Sequence, residues 1–305
     1  MDFIKPNINI NFVGKRRTAL IISLVALLIG VGSLVLKGGP RYGIDFAGGT
    51  LVQVKFTDAP DVGRIRDVLT DKGMGSAVIQ SLGEEKVSIR VKSEEGQIDT
   101  ASDDVFAVLA EQFGPDSVSL ELVEMVGPQV GADMRRKGML SMLYAMVGIL
   151  IYITLRFQFR FAMGAIAALI HDIIITIGVF SLFDKEFTLP IIAALLTIIG
   201  YSLNDTIVVY DRIRENIRRT PKDMLASVIN TSINQTLSRT ILTSGTTLLV
   251  VICLFVLGGE VIHDFSFALL VGVVVGTYSS IYIASPMLLL GGRGERAART
   301  SARQG

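Results

Sequence analysis

Six long apolar runs dominate the pattern of hydrophobic and polar positions along this chain of 305 residues. Each run reaches the roughly 17–25 residues that a helix needs to cross the hydrocarbon core of a bilayer. The runs cover residues 18–36, 139–155, 161–182, 189–209, 241–257 and 266–290. The pattern therefore predicts an α-helical polytopic membrane protein with six transmembrane helices.

A segment of about 100 residues separates the first two runs and has a different periodicity. Alternating apolar positions predict strands, and apolar positions three or four residues apart predict helices. The predicted elements are strand 51–56, helix 61–72, strands 77–81 and 86–92, helix 103–113 and strand 117–126. The order β-α-β-β-α-β is that of a ferredoxin-like α+β domain. Because this fold supports many functions, a spacer domain without a ligand remains an alternative.

Basic residues divide the chain ends and short loops between the two sides of the membrane. One side carries Lys5, Lys15, Arg16, Arg17, Arg156, Arg160, Arg212, Arg214, Arg218, Arg219, Lys222, Arg293, Arg296, Arg299 and Arg303. The short loops of the other side hold Lys185 with Asp184, Glu186, Glu260 and Asp264. By the positive-inside rule, both termini are predicted to be cytoplasmic. The basic stretch 135–137 lies in a long external segment, which largely escapes the rule.

This orientation predicts the domain organisation. Residues 1–17 form a cytoplasmic N-terminus, 18–36 the first transmembrane helix and 37–137 the periplasmic ferredoxin-like domain. Residues 138–290 form the bundle of the other five helices, with a cytoplasmic loop at 210–238, and residues 291–305 form a cytoplasmic tail. The first run is expected to stay as an uncleaved anchor, because no small-x-small cleavage site follows it.

Composition and motifs exclude several classes of function. The net charge of +1 argues against a nucleic-acid partner, and a single cysteine excludes disulfide and cysteine-metal frameworks. No HExxH, CxxC or GxSxG motif occurs, and His171 and His263 are too far apart to suggest a metal site. The glycine-rich segment 38–50 lacks the Lys-Ser/Thr pair of a phosphate-binding loop and is predicted to be a flexible exit from the membrane. No catalytic residue, cofactor or metal is therefore expected.

Ionisable residues inside the predicted spans are the strongest candidates for a functional site, since each costs about 2.5–3.5 kcal/mol at the bilayer centre on insertion scales. Asp205 lies in the fourth span and Arg239 opens the fifth from the same side, at comparable depth. His171 and Asp172 lie near the middle of the third span. Helical spacing adds supporting polar residues around the first two charges. These are Thr197, Tyr201, Ser202, Asn204, Thr243, Thr246 and Thr247.

Structural alternatives exist for each of these residues. Asp205 and Arg239 can form a permanent ion pair that only holds two helices together, or Arg239 can extend to the cytoplasmic interface. His171 and Asp172 can be a satisfied polar contact between helices or a secondary intramembrane polar site. The charged residues just past the fourth run, Asp211, Arg212, Arg214 and Glu215, are predicted to be a solvated face.

Two further patterns concern helix packing and helix ends. A stripe of small residues recurs every four positions in the sixth span and predicts close helix packing, against another span or another chain. The stripe consists of Ala268, Gly272, Gly276, Ser280 and Ala284. Thr220 and Pro221 have the residue types of a helix N-cap and first helical position, which predicts a helix along the membrane surface.

Five stretches resemble the SecD/SecF family of the RND (resistance-nodulation-division) superfamily. They are GIDFAGGT (43–50), VGPQVG (126–131), GYSLNDTIVVYDRIREN (200–216), NQTLSRTILTSGTT (234–247) and GVVVGTYSSIYIASP (272–286). The resemblance implies a multi-pass protein of the bacterial inner membrane that works with SecD, the SecYEG channel, YajC and a translocating preprotein. It also implies that Asp205 and Arg239 serve proton transport, while it assigns no clear role to Asp45 or to His171 and Asp172.

The resemblance leads to a hypothesis in which Asp205 exchanges a proton between the two sides and Arg239 biases its charge state. The proton-motive force would then assist protein translocation through the external domain. Two other classes of function remain open: a half-size RND-type exporter of small molecules or lipids, and a scaffold subunit that uses no energy.

Overall fold

The computed structural model describes residues 8–75, 77–91, 100–219 and 224–290, except for the side chain of Glu260. These residues form two compact units. The first consists of the residues up to Arg41, Met142–Lys185 and those from Pro190 onward, and the second of Tyr42–Ser141 and Glu186–Leu189. Six of the described helices are long and apolar enough to cross a membrane, in agreement with the six apolar runs.

The elements follow one another in the order that the sequence predicts, with several helices longer than the apolar runs. They are α1 Arg16–Leu36, α2 Ile44–Ala47, β1 Gly49–Phe56, α3 Val62–Asp71, β2 Val78–Ser81, β3 Lys86–Val91, α4 Ala101–Phe113, β4 Val118–Val126, α5 Pro128–Arg156, α6 Phe159–Leu182, α7 Leu189–Arg219, α8 Leu225–Leu257, α9 Gly259–Ser279 and α10 Ser285–Met287. A π-helical segment, Ser280–Ala284, joins α9 to α10.

The segment 210–238, predicted as a loop, is instead helical where the structure describes it. The helix α7 continues to Arg219, and α8 begins at Leu225 and enters the fifth span without a break. At 1.5 Å per residue, α8 is about 50 Å long and exceeds the roughly 30 Å hydrocarbon core. The described part of the segment therefore forms no separate helix along the membrane surface. Thr220 and Pro221, the predicted helix start, lie outside the described residues.

The helical extensions are stabilised by packing against the rest of the first unit. Tyr210 and Ile213 of α7 and Ile229 and Ile233 of α8 are almost completely buried in one apolar cluster. An apolar run ends where polar residues enter the sequence, whereas helical hydrogen bonding continues as long as one face can be buried. Asp211 and its charged neighbours form polar contacts here, and Arg212 Nε donates to Gln235 Oε1 over 2.6 Å.

Residues 8–15, which we call the N-terminal strap, lie against α8. Asn230 and Asn234, one turn apart on α8, both donate to the carbonyl oxygen of Ile10, over 3.0 and 2.9 Å. Their side-chain oxygens accept from the backbone amides of Val13 and Ile10. The two asparagines thus satisfy backbone groups of a segment that is neither helix nor strand and that turns at residues 12–15.

Replacing both asparagines by alanine (Asn230→Ala with Asn234→Ala) is expected to release the strap. Because each hydrogen bond contributes roughly 0.5–1.5 kcal/mol, amide exchange at Ile10 and Val13 should rise about tenfold or more. Hydrogen–deuterium exchange with mass spectrometry on the detergent-solubilised protein measures this effect. Asn216→Ala, which removes side-chain bonds between α7 and α8 only, is the control. Unchanged exchange in the double variant would contradict the role of the two asparagines.

Glycine allows a close approach of α1 and α6. A Cβ atom on Gly178 would lie 2.6 Å from the Cα atom of Gly30, a distance that packed atoms do not adopt. One turn further along, Ser33 Oγ and Ser181 Oγ share a hydrogen bond of 2.8 Å. This is the close packing through small residues that membrane helices use.

The second unit contains the ferredoxin-like domain that the sequence predicts. Its four strands form one sheet in the order β2-β3-β1-β4, and all neighbours are antiparallel. The helices α3 and α4 bury Ile65, Leu69, Val105 and Leu109 against the sheet. The edge strand β4 differs from the prediction, because Leu120 and Leu122 are exposed although Val118 is buried. A bulge between Gln53 and Val54 shifts the register there and interrupts the alternation.

The glycine-rich segment 38–50 is ordered from Tyr42 onward, in contrast to the predicted flexible exit. Ile44 and Phe46 are buried in the short helix α2. Gly48 has φ of +72°, and a Cβ atom there would lie 2.7 Å from the Cα atom of Pro128. Both the backbone conformation and the lack of space therefore require glycine at this position. The Asp45 carboxylate accepts a hydrogen bond of 2.7 Å from the backbone amide of Leu189, the first residue of α7.

Candidate functional site

Asp205 is a buried carboxyl group inside a membrane-spanning helix. Its side chain lies on α7 and only 2% of the residue is exposed. Ser244 of α8 donates a hydrogen bond to Asp205 Oδ2 over 3.3 Å. Ser244 also shares a hydrogen bond of 2.7 Å with Thr277 of α9. Three helices therefore meet at this carboxyl group through hydroxyl groups.

The hydroxyl chain from Asp205 to α9 is compatible with both protonation states of the carboxyl group. When Asp205 is ionised, Thr277 donates to Ser244, and Ser244 donates to the carboxylate. When Asp205 is protonated, it donates to Ser244, Ser244 donates to Thr277, and Thr277 donates to the carbonyl oxygen of Val273, 2.8 Å away. Each hydroxyl group has one hydrogen and can also accept, so every hydrogen is used in either direction.

His171 and Asp172 form a second buried polar cluster, on α6. His171 Nδ1 lies 2.9 Å from Asp172 Oδ1. Ser202 of α7 and Ser279 of α9 both donate to Asp172 Oδ2, over 2.6 and 2.8 Å. Asp172 is 1% exposed and His171 5%. The cluster thus joins three helices through one carboxyl group.

The two clusters lie next to each other on the same two helices. On α7, Ser202 precedes Asp205 by three residues, which places them about one helical turn apart on one face. On α9, Thr277 and Ser279 are two residues apart. From the sequence, His171 and Asp172 are predicted as a separate secondary site, whereas the structure connects them to the surroundings of Asp205 through Ser202.

Arg239 lies near this network but makes no direct ion pair with Asp205. Its residue is exposed on α8, and no described carboxylate lies within 4.0 Å of it. Ser244, the residue that contacts Asp205, is five positions further along α8, which corresponds to about 7.5 Å along the helix axis. Asp205 and Arg239 therefore form no direct ion pair in this chain.

This separation predicts that Asp205 and Arg239 contribute independently to stability. In a cycle of Asp205→Asn, Arg239→Gln and the double variant, the changes in unfolding free energy should add within about 0.5 kcal/mol. Thermal unfolding of the purified chain in detergent measures the three changes. A coupling well above that value would instead support a structural ion pair.

The small residues of the sixth span pack against α7 of the same chain. A Cβ atom on Gly272 would come into severe overlap with the side chain of Ile198, and one on Gly276 would lie 2.9 Å from the Cβ atom of Ser202. Ser280 is buried, and its hydroxyl group donates to the carbonyl oxygen of Thr277 over 3.0 Å. The absence of side chains at Gly272 and Gly276 thus lets α9 approach α7 where Ser202 reaches Asp172.

The other predicted polar residues are placed less centrally. Thr197 and Asn204 are exposed, while Tyr201 is half-buried and its hydroxyl group has no hydrogen-bond partner in the part of the chain that the structure describes. Thr243 lies beside the Asp205 carboxyl group and, like Thr247, donates to a backbone carbonyl group of its own helix over 3.0 Å. The face through Thr197, Tyr201 and Asp205 therefore points only partly into the bundle.

Three hydroxyl residues of the network are not predicted from the sequence: Ser244, Thr277 and Ser279. The available signal is weak, because serine and threonine occur in membrane helices with their hydroxyl groups bonded to their own backbone. The spacing of Thr277 and Ser279, on either side of the small-residue stripe, was the one indication that α9 carries polar groups toward its neighbours.

Comparison with known families covers most of the chain. A family model described as protein export membrane protein SecD/SecF, C-terminal, matches residues 105–293. A second model, described as the SecD/SecF GG motif, matches residues 34–60. The second match includes Asp45 and Gly48, the glycine that the structure places against Pro128.

Individual relatives give the same assignment. The chain is 50% identical to the protein translocase subunit SecF of Magnetococcus marinus, with 95% of this chain and 96% of that protein covered. It is 46% identical to the protein of the same name from Calditerrivibrio nitroreducens, with the same coverage, and 45% identical to that of Pseudomonas aeruginosa, with 92% and 90% covered.

Solved structures of SecDF share the fold. The crystal structure of SecDF, a translocon-associated membrane protein from Thermus thermophilus, matches with a TM-score of 0.84 and 37% identity. A crystal structure of SecDF in a super-membrane-facing form matches with a TM-score of 0.69 and 36% identity. The matches cover 94% and 97% of this chain but only 39% and 40% of the SecDF chains. Together with the family models and the relatives, they show that this multi-pass membrane protein belongs to the SecF family of protein translocase subunits.

Proposed function

We propose that this chain works with SecD to couple the proton-motive force to protein translocation across the bacterial inner membrane. The observation that carries the proposal is the environment of Asp205. The Asp205 carboxyl group is 2% exposed in a spanning helix and accepts a hydrogen bond from the Ser244 hydroxyl group, and no described lysine or arginine lies within 4.0 Å of it. Such a group is costly as a structural element and is typical of a proton pathway.

The hydroxyl chain supports a proton-carrying role for Asp205. Protonation reverses the direction of the hydrogen bonds from Asp205 through Ser244 to Thr277. Contacts between α7, α8 and α9 therefore change with the charge state of Asp205. A charge that moves through 100 mV releases about 2.3 kcal/mol, enough to shift a balanced equilibrium between two conformations roughly fiftyfold. Arg239 acts on this equilibrium as a nearby positive charge and not as a direct partner.

The topology follows from the positive-inside rule. Both termini and the connection between α7 and α8 are cytoplasmic, and the ferredoxin-like domain within residues 37–137 is periplasmic. The domain is the element whose movement would pull or hold an emerging preprotein. Release of the proton toward one side and uptake from the other would drive that movement in one direction.

SecD is the proposed main partner. The chain accounts for about two fifths of the SecDF chains that it matches, so a second part is needed for an assembly of that size. SecD would supply the second set of spans, and SecYEG and YajC would connect the pair to the translocation channel. These partners rest on the family and on no contact within this chain.

Protein translocation into inverted membrane vesicles tests the proposal. Vesicles that contain SecD with either the wild-type chain or Asp205→Asn are compared with and without a proton gradient. A half-size exporter would show loss of efflux and no loss of secretion, and a scaffold subunit would keep the dependence of secretion on the gradient in the variant.

A further inference from the structure

The contacts of His171 and Asp172 leave the negative charge of the Asp172 carboxylate without a compensating lysine or arginine among the described residues. Asp172 accepts hydrogen bonds from two serine hydroxyl groups and lies beside the His171 ring, with no lysine or arginine among its described partners. A carboxylate that is 1% exposed inside a membrane is expensive without a positive partner. One additional proton, on His171 or on Asp172, makes the pair electrically neutral.

We infer that His171 and Asp172 form a proton-binding site of their own, distinct from Asp205 and linked to it through Ser202. The inference rests on the proposed function, because it adds a second site to the same proton pathway. In the protonated pair, imidazolium faces carboxylate across the contact of 2.9 Å between Nδ1 and Oδ1. On release, the bond between Nε2 and its hydrogen breaks, the proton passes to water, and neutral His171 keeps its Nδ1–H bond to Asp172.

His171 Nε2 identifies the atom at which this proton is exchanged. This atom has no hydrogen-bond partner among the described residues, and His171 as a whole is 95% buried. A buried ring nitrogen without a partner normally costs free energy, so such an atom requires an explanation. Binding and release of a proton through an entering water molecule provides one.

The groups that contact the pair come from α7 and α9 and, in the part of the chain that the structure describes, include no further charged side chain. Ser202 faces it from α7 and Ser279 from α9. The Tyr278 ring of α9 is stacked on His171 with centroids 6.2 Å apart, and its hydroxyl group donates to the carbonyl oxygen of Ala19 of α1. The next ionisable group along this network is Asp205, one turn beyond Ser202.

The position of Ser202 provides the link between the two sites. Its hydroxyl group holds Asp172, its backbone belongs to the turn of α7 that carries Asp205, and its Cβ atom contacts α9 at Gly276. Asp172 is ionised in both states, and a change in charge at His171 changes the electric field at the carboxylate that accepts the two serine bonds. That change acts directly on the contact between α7 and α9.

Infrared titration of the complete complex with SecD, in lipid nanodiscs, tests the inference. We expect two protonation steps in the wild type, loss of one in Asp205→Asn and loss of the other in His171→Gln. Asp172→Asn keeps an oxygen that can accept from the serines and should also remove the second step. The double variant Asp205→Asn with His171→Gln should show neither step.

His263→Gln is the matched control, because His263 also precedes an aspartate, lies 3.3 Å from it and is partly exposed. It should leave both steps in place. Two unchanged steps in His171→Gln would overturn the inference and leave packing as the role of the pair. If Asp172→Asn fails to assemble, His171→Gln still decides, because it leaves the carboxylate and both serines in place. Failure of the proposed function is separate: it would appear as gradient-dependent translocation that persists in Asp205→Asn.

Discussion

Asp205→Asn is expected to abolish the part of protein translocation that depends on a proton gradient, while the rate without a gradient stays unchanged. Asparagine has nearly the same shape as the aspartate and can still accept from Ser244, but it cannot bind and release a proton. The change therefore removes the titrating group and preserves the contact of 3.3 Å between α7 and α8. Translocation of a preprotein into inverted vesicles, with and without an uncoupler, measures the difference.

The control for this result is Asp211→Asn. It makes the same chemical change on the same helix, at a side chain that is 48% exposed and contacts Arg156 over 3.4 Å. An exposed ion pair contributes little, so we expect wild-type translocation. Co-purification with SecD must be unchanged in both variants. Full dependence on the gradient in Asp205→Asn would rule out the proton-carrying role of this residue.

The second large effect is expected for Gly276→Val. The Cβ atom alone would lie 2.9 Å from the Cβ atom of Ser202, and the two added methyl groups have no room between α9 and α7. Overpacking of this kind typically costs about 1–3 kcal/mol. The displacement of Ser202 also removes its 2.6 Å bond to Asp172, so we expect loss of both stability and gradient-dependent translocation.

Thermal unfolding of the purified chain in detergent measures the stability change. Gly245→Val is the control, because Gly245 is also in the middle of a helix and has no atom within 4 Å of an added Cβ. We expect Gly245→Val to have a much smaller effect. Equal losses in the two variants would mean that the contact between Gly276 and Ser202 is unimportant.

Much of the fold could be predicted because it depends on local patterns. Run length identifies the six spanning helices, and alternation identifies the four strands whose order gives the ferredoxin-like domain. Helix ends were less predictable. The helix α8 begins 16 positions before the apolar run at 241, because Ile229 and Ile233 are buried by residues far away in the sequence.

The site was predictable only in part. The rarity of ionisable residues in apolar runs identifies Asp205, Asp172 and His171, since their cost is a property of the individual side chain. The sequence places Asp205 and Arg239 at comparable depth and leaves a direct pair open, because depth along an apolar run does not fix the direction in which each side chain points. In the structure, Arg239 lies five positions, or about 7.5 Å along the axis of α8, from Ser244, the residue that donates to Asp205.

The sequence by itself determined that this protein spans the membrane six times, carries an α+β domain between the first two spans and places carboxyl groups inside its helices. These properties follow from spacing and composition along the chain. Only the tertiary structure decided which polar groups meet. Ser202 and Ser279 reach Asp172 from positions 30 and 107 residues away. Such contacts depend on how each helix is rotated toward its neighbours, and that rotation is set by the packing of side chains from several helices, including the contact of Gly276 with Ser202.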